Sequence, residues 1–312
     1  MIGAVDIGGT KIAVGQVDGN GRLLSQLESP TDADRGYEHA LRRIEEMLRE
    51  TAKAAGEEMK GVGIGCTGPV YPLSGEIGNV QFLPGWEGKN LVADLGRIFG
   101  TSVAMENDAD AVALGEALCG AGRGRKSLIF VTVGTGIGGG IILNDQLYRG
   151  VDYSHPEIGH HVIDASGPRC YCGAHGCWEV LARGPAMVEW FTAQTSNGFS
   201  RTENLTAKGI CELARKKNEL AFRTIEREAY YLGLGLANLI TLFTPEVIVL
   251  GGSVMKSLPL FWDGIWKTIA ANCGEVPFEK TILASASLGA DAALIGAAQV
   301  WHHRFRGHGR TT

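Results

Sequence analysis

Short apolar runs broken by glycine turns open the chain. Ile2–Asp6 leads into Asp6-Ile7-Gly8-Gly9-Thr10-Lys11. Ile12–Val17 follows, then the polar turn Asp18-Gly19-Asn20-Gly21, then Arg22–Leu27. Runs of this length bounded by Gly, Asn and Asp predict strand, glycine turn, strand, hairpin turn, strand. Leu41, Ile44, Met47 and Leu48 fall near helical spacing and predict a helix over Tyr37–Ala55. Gly61–Cys66 and Thr101–Met105 read as strands, and Asp108–Leu118, rich in Ala, Leu and Glu, as a helix.

The opening pattern then returns. Ser127–Val133 is an apolar run ending in Gly134-Thr135-Gly136-Ile137-Gly138-Gly139-Gly140, and Ile141–Leu143 starts a further strand before the turn Asn144-Asp145. A duplicated strand, glycine-turn, strand unit predicts two related α/β domains facing one another across a cleft. Helices are expected near Pro185–Phe191 and Arg223–Phe243, a strand over Val247–Leu250 ending in Gly251-Gly252, and a last helix about Ala290–Trp301. The boundary is placed near residue 119. Residues 1–118 then form a smaller domain, joined by the C-terminal helix over 290–302, and residues 119–289 form a larger one.

Composition narrows the class. The 312 residues suit two domains, and 45% hydrophobic with 20% charged residues is the balance of a soluble globular protein. A net charge of -5 offers no basic stripe for a nucleic-acid backbone. The chain shows no charged and apolar leader and no apolar run long enough to span a bilayer, so a cytoplasmic protein without a membrane partner is expected. The 45 glycines are about twice the usual share and cluster where backbone must turn tightly or approach a ligand. His302–Thr312, basic and glycine-containing, reads as a solvated end.

Gly134–Gly139 fits G-x-G-x-x-G, but the dinucleotide fingerprint requires a helix next, and Gly140-Ile141-Ile142-Leu143 is a strand start. A dehydrogenase is therefore rejected in favour of a glycine hairpin, whose successive N–H groups can cradle a phosphate. No P-loop motif occurs in the sequence.

Three of the seven cysteines, Cys170, Cys172 and Cys177, crowd into eight residues. With His160, ten residues earlier, they make a Cys3His set, the closed tetrahedral donor set of structural zinc. His161 would face away if this stretch is extended, and His175 is a competitor. His160 could hold the metal with one ring nitrogen and orient a bound group with the other.

These motifs together resemble the ROK sugar kinases (repressor, open reading frame, kinase) of the actin-like ATPase superfamily. The resemblance is carried by Asp6–Lys11, Thr67-Gly68-Pro69, Leu83-Pro84-Gly85-Trp86, Glu106–Ala111, Gly134–Gly140, Glu157-Ile158-Gly159-His160, Cys170–Glu179 and Pro245–Gly252. It implies an α/β fold of two actin-like (ribonuclease H-like) domains with mixed β-sheets flanked by helices and a cleft between them. It also implies ATP-dependent phosphorylation of a hexose, usually at the 6-hydroxyl, with Mg2+ and a structural Zn2+.

By the same similarity Asp6, Gly8, Gly9, Thr10 and Lys11 lie at the phosphates from one domain. Gly134, Thr135 and Gly136 lie there from the other, and Gly251 and Gly252 lie near the adenosine. Gly68, Asn107, Asp108, Glu157, His160 and Glu179 meet the sugar, and Asp108 accepts the proton of the attacking hydroxyl. A homo-oligomer, dimer or tetramer, is implied as well.

Asp108 begins a helix, whose N-terminus favours the ionised carboxylate that a proton acceptor needs. The same residues also suit plain helix capping. His155-Pro156 before Glu157 is closer to the family's fructokinases, whereas the cysteine loop is of the glucokinase type. Glucose is the first choice of sugar, and fructose, mannose, N-acetylglucosamine and N-acetylmannosamine remain alternatives. A non-catalytic sugar sensor is a more distant one. No helix-turn-helix segment stands before Asp6, so a DNA-binding repressor is not expected.

Overall fold

The computed structural model describes residues 1–195 and 205–305. Its strands and helices, in chain order, are β1 (Ile2–Ile7), β2 (Lys11–Val17), β3 (Leu23–Pro30), α1 (Tyr37–Ala55), β4 (Gly61–Cys66), β5 (Val70–Tyr71), β6 (Glu76–Ile77), α2 (Leu91–Phe99), β7 (Ser102–Asn107) and α3 (Asp108–Leu118). Then come β8 (Leu128–Val133), β9 (Ile137–Leu143), β10 (Gln146–Leu147), α4 (Trp178–Ala182), α5 (Gly184–Gln194), α6 (Ala207–Arg215), α7 (Glu219–Phe243), β11 (Val247–Gly251), α8 (Trp262–Asn272), β12 (Ile282–Ser285) and α9 (Ala292–Phe305). His302–Phe305 form the last turn of α9, and the rest of the basic end lies outside the described residues.

The internal duplication is visible in strand order. One sheet runs β3-β2-β1-β4-β7 and the other β10-β9-β8-β11-β12, the same permutation of five strands. Each is mixed. β1 pairs antiparallel with β2 and parallel with β4, and β11 pairs parallel with β12. The predicted second glycine turn is shorter than its glycines suggest. β9 already starts at Ile137, so Gly138–Gly140 lie in the strand and only Gly134-Thr135-Gly136 make the bend. No helix follows, as the rejection of a dinucleotide fingerprint requires.

Contacts divide the chain into two compact units. One holds Met1–Phe130, Gly140–Pro156 and the chain from Ala286 on; the other holds Val131–Gly139 and Glu157–Ser285. In the first unit both faces of the β1-centred sheet are covered. Val5, Ile7, Ile12, Val14 and Ile64 pack with Ile44 and Leu48 of α1 and with Leu91 and Leu95 of α2. On the opposite face Ile2, Ala4, Ala13 and Val17 meet Leu294, Ala297, Ala298 and Trp301 of α9.

α9 comes close because β4 has no side chain on that face. A Cβ on Gly63 would lie 1.9 Å from the carbonyl oxygen of Ala297. Trp301 donates its ring N–H to Ser102, at 3.1 Å to the backbone oxygen and 2.9 Å to the hydroxyl, so its polar end is satisfied where it is buried.

In the second unit the 25-residue α7 is the central helix, buried along Leu232, Leu236, Leu239 and Ile240. The Trp178 ring rests on Gly235 and donates to the carbonyl of Tyr231 at 3.0 Å, which fixes α4 and the cysteine loop before it. No helix among the described residues is long and apolar enough to cross a membrane.

Candidate functional site

Two sets of predicted residues assemble, one in each unit. In the first unit, β1 ends beside the start of α3. Asp6 Oδ1 and the Cα of Asp108 flank Gly65, at 3.8 and 3.7 Å from where its side chain would begin. Burial, then the negative charge of Asp108, push the Asp6 carboxyl up to about 7, with Lys11 opposing. A divalent cation at this pair would reverse that penalty.

The first glycine turn follows Asp6. Gly8 N–H donates to the Lys11 carbonyl at 3.0 Å, and the Thr31 hydroxyl donates to the Gly8 carbonyl at 2.7 Å, so Gly8-Gly9-Thr10 is held from both sides. The Lys11 ammonium, half exposed, rests 2.6 Å from Glu28.

Asn107 and Asp108 divide their roles. The Asn107 side chain caps α3, accepting from Ala109 N–H at 2.9 Å, while its amide nitrogen faces Gly68. Asp108 is the first residue of α3, and its Oδ1 also accepts from Ala109 N–H, at 2.8 Å. Both the cap and the helix dipole favour the ionised carboxylate there.

Glu106 immediately precedes this pair, and Asp110 follows it by two residues. Arg149 ion-pairs with both carboxylates, its contact to Asp110 being 2.7 Å, and His155 Nδ1 lies 2.6 Å from the same Asp110 oxygen. Asp110 is fully buried. Burial pushes Glu106 up to about 7 against the pull of Arg149. Sequence patterning carries no signal for this network. Asp110 reads as one more polar helix residue, and Arg149 lies 39 residues beyond it.

In the second unit, the bend Gly134-Thr135-Gly136 closes by a 2.9 Å bond from Gly134 N–H to the Gly136 carbonyl. Gly251 ends β11 and Gly252 follows it beside the bend, since a Cβ on Gly252 (φ +92°) would lie 2.4 Å from the carbonyl of Val133. Glu179 reaches the same bend. Its Oε2 accepts from Ile137 N–H at 2.9 Å, and only a glycine at 136 leaves room for it.

Glu157, exposed, precedes the short 3-10 turn Ile158–His160. His160, Cys170, Cys172 and Cys177 present ligand atoms all within 4.8 Å of one another. His160 Nδ1 is 3.6 Å from Cys170 Sγ, and the sulfurs of Cys172 and Cys177 are 3.5 Å apart. Bond lengths of about 2.0–2.3 Å in a tetrahedral zinc site put ligand atoms roughly 3.3–3.8 Å from each other, so this set fits the ion.

His161 turns away, its Nδ1 toward the Ile158 carbonyl and its ring against Trp178. His175 Nδ1 faces the Gly167 carbonyl. Tyr171, inside the cysteine loop, was not singled out by spacing. The residue is 77% exposed, but its hydroxyl lies 2.9 Å from His160 Nε2. Burial of that polar end, then the charges of Glu179 and Glu157, push the phenol up to about 12.

The ROK family model matches residues 2–304. The chain is 30% identical to a glucokinase of Thermotoga maritima over 97% of its own length and 98% of that protein. Among solved structures, a ROK hexokinase from Thermus thermophilus superposes with a TM-score of 0.83 at 34% identity, covering 96% of this chain and 97% of that one. A ROK family glucokinase from Streptomyces griseus, in complex with glucose and AMPPNP, gives 0.78 at 33% identity, covering 96% and 98%.

Proposed function

Because this chain belongs to the ROK family, we propose that it is an ATP-dependent hexose kinase whose substrate is glucose, phosphorylated at the 6-hydroxyl. The observation that carries the reading is the match to glucokinases over nearly the full length of both proteins. The site residues supply what phosphoryl transfer asks of a protein, which is positioning and charge stabilisation more than covalent chemistry.

Asp108 accepts the proton of the attacking hydroxyl, and Asn107 and Gly68 orient the sugar beside it. Glu157, His160 and Glu179 meet further sugar hydroxyls, for which carboxylates are paired acceptors. Gly8-Gly9-Thr10-Lys11 and Gly134-Thr135-Gly136 border the phosphates of ATP; the Gly8 and Gly134 N–H groups close the two turns, and the other backbone N–H groups with the Lys11 ammonium face the phosphates. Lys11 exchanges an exposed ion pair with Glu28 for that contact, and exposed pairs are weak enough to give up. Gly251 and Gly252 line the adenosine end. Asp6 would hold magnesium, which neutralises charge on the transferring phosphoryl group.

The test is ADP release from purified protein offered glucose, fructose, mannose, N-acetylglucosamine and N-acetylmannosamine, with and without magnesium. Glucose is expected to give the highest kcat/KM, and only with magnesium. A higher value for any other sugar reassigns the substrate, and no ADP release with any of them removes the kinase reading.

His160, Cys170, Cys172 and Cys177 would hold a structural zinc that pins the loop bearing Tyr171 and sets the ring orientation of His160. Protein purified without chelator is expected to carry one zinc per chain by elemental analysis. Cys177→Ser should lower that below half and weaken sugar binding, because the buried Cys177 directly precedes α4 and Glu179. Full zinc occupancy in that variant would refute the ligand set.

A further inference from the structure

The outer nitrogen of His160 is already engaged. Its Nδ1 faces the Cys170 sulfur, and a ring nitrogen that ligates a metal carries no proton, so Nε2 bears it and donates. The acceptor at 2.9 Å is the Tyr171 hydroxyl, with the two rings edge to face at 5.0 Å. His160 is assigned above to the sugar, so the phenol hydroxyl occupies the nitrogen that a sugar hydroxyl would meet, and the tyrosine itself carries no such assignment.

A phenol hydroxyl offers one donor and acceptor lone pairs, the same set as a sugar hydroxyl. We propose that Tyr171 is a specificity-determining residue of the sugar site: its hydroxyl takes the place of a sugar hydroxyl at His160 Nε2, and bound sugar displaces it. The inference rests on the hexose-kinase reading. Little apolar contact resists the displacement, since the Tyr171 side chain is 77% exposed. Its neighbours Cys170 and Cys172 belong to the metal cluster, so the loop backbone can stay in place while the side chain rotates.

A sugar therefore gains only the difference between the bonds it makes and those it breaks. A sugar presenting a hydroxyl here replaces the bond to His160. One presenting hydrogen leaves the His160 N–H short of a partner, which selects against it.

The experiment is calorimetric titration of zinc-replete wild type, Tyr171→Phe and Tyr171→Leu with the best sugar from the ADP-release panel, without ATP. Both variants lack the competing hydroxyl, and the Kd for sugar is expected to fall about three- to ten-fold in each. The KM for ATP should stay within about two-fold of wild type, and zinc content at one per chain. Unchanged or weaker sugar binding in the zinc-replete variants overturns the proposal, because the hydroxyl would then be either idle or a contact to bound sugar. If wild type releases ADP with no hexose, the kinase reading fails first. If wild type is active and neither variant binds sugar more tightly, only the role of Tyr171 falls.

Discussion

Asp108→Asn is expected to lower kcat by roughly a hundred- to ten-thousand-fold, the usual contribution of a positioned proton acceptor. The substitution keeps the shape of the side chain and removes its basicity. An asparagine Oδ1 can still accept from Ala109 N–H, and the cap of α3 belongs to Asn107, so helix and sugar contacts persist. The KM for sugar should accordingly move by only a few-fold.

Stability gives a second readout that mere misfolding would send the other way. Asp6 has a raised folded pKa, so the native state carries a penalty that grows as pH rises through about 7, and part of it comes from Asp108. Removing that charge eases the penalty, and the variant's Tm at pH 8 should exceed that of wild type. The measurement is kcat by ADP release together with thermal unfolding at pH 6 and pH 8. Near-normal turnover in a folded, sugar-binding variant would refute the role of Asp108.

How much could be read from sequence alone depended on how local each interaction is. The cysteine loop is legible because three of its four ligands lie within eight residues, and a tetrahedral site imposes that spacing. The α9 packing is prefigured by Gly61 and Gly63, which alternate on one face of β4 and clear it for a helix.

β9 is misjudged at its start because three consecutive glycines carry no strand propensity. Packing overrides propensity there: a Cβ on Gly140 would lie 2.6 Å from that of Ala113 and 2.8 Å from Asp110 Oδ1. Asn107-Asp108 is ambiguous in sequence because capping and proton acceptance use the same residue types at the same place. In the structure Asn107 serves as the cap. Tyr171 and Arg149 escape for a different reason. Their meaning lies in partners brought close by tertiary folding, and a separation of 39 residues leaves no periodicity to detect.

Arg149 should be the costliest side chain to remove outside the residues that meet substrate. It is 10% exposed and bridges Glu106, at 15%, to Asp110, at 0%, so its loss strands two buried carboxylates. Removing one partner of a buried ion pair costs about 3–5 kcal/mol, because the charge left behind keeps its desolvation penalty. Arg149→Met retains the stem and is expected to lower Tm by roughly 6–20 °C.

The sign of the pH dependence follows from Glu106. Its folded pKa is already raised, Arg149 is what restrains it, and without Arg149 it rises further. A raised carboxylate stabilises the fold below its unfolded pKa and loses that contribution as pH rises through the folded value. The deficit of Arg149→Met should therefore be smaller at pH 6 than at pH 8. His155 beside Asp110 can replace only part of the lost charge, and only where it is protonated, which pushes in the same direction.

Because Glu106 and Asp110 bracket Asn107 and Asp108, kcat should fall as well, even in variant protein that remains folded at the assay temperature. Adding Asp110→Asn removes one stranded charge, and a double-mutant cycle is expected to show less loss of stability in the pair than the two single losses summed. Additive losses, or a deficit independent of pH, would mean that Arg149 contributes through packing of its stem and not through its charge.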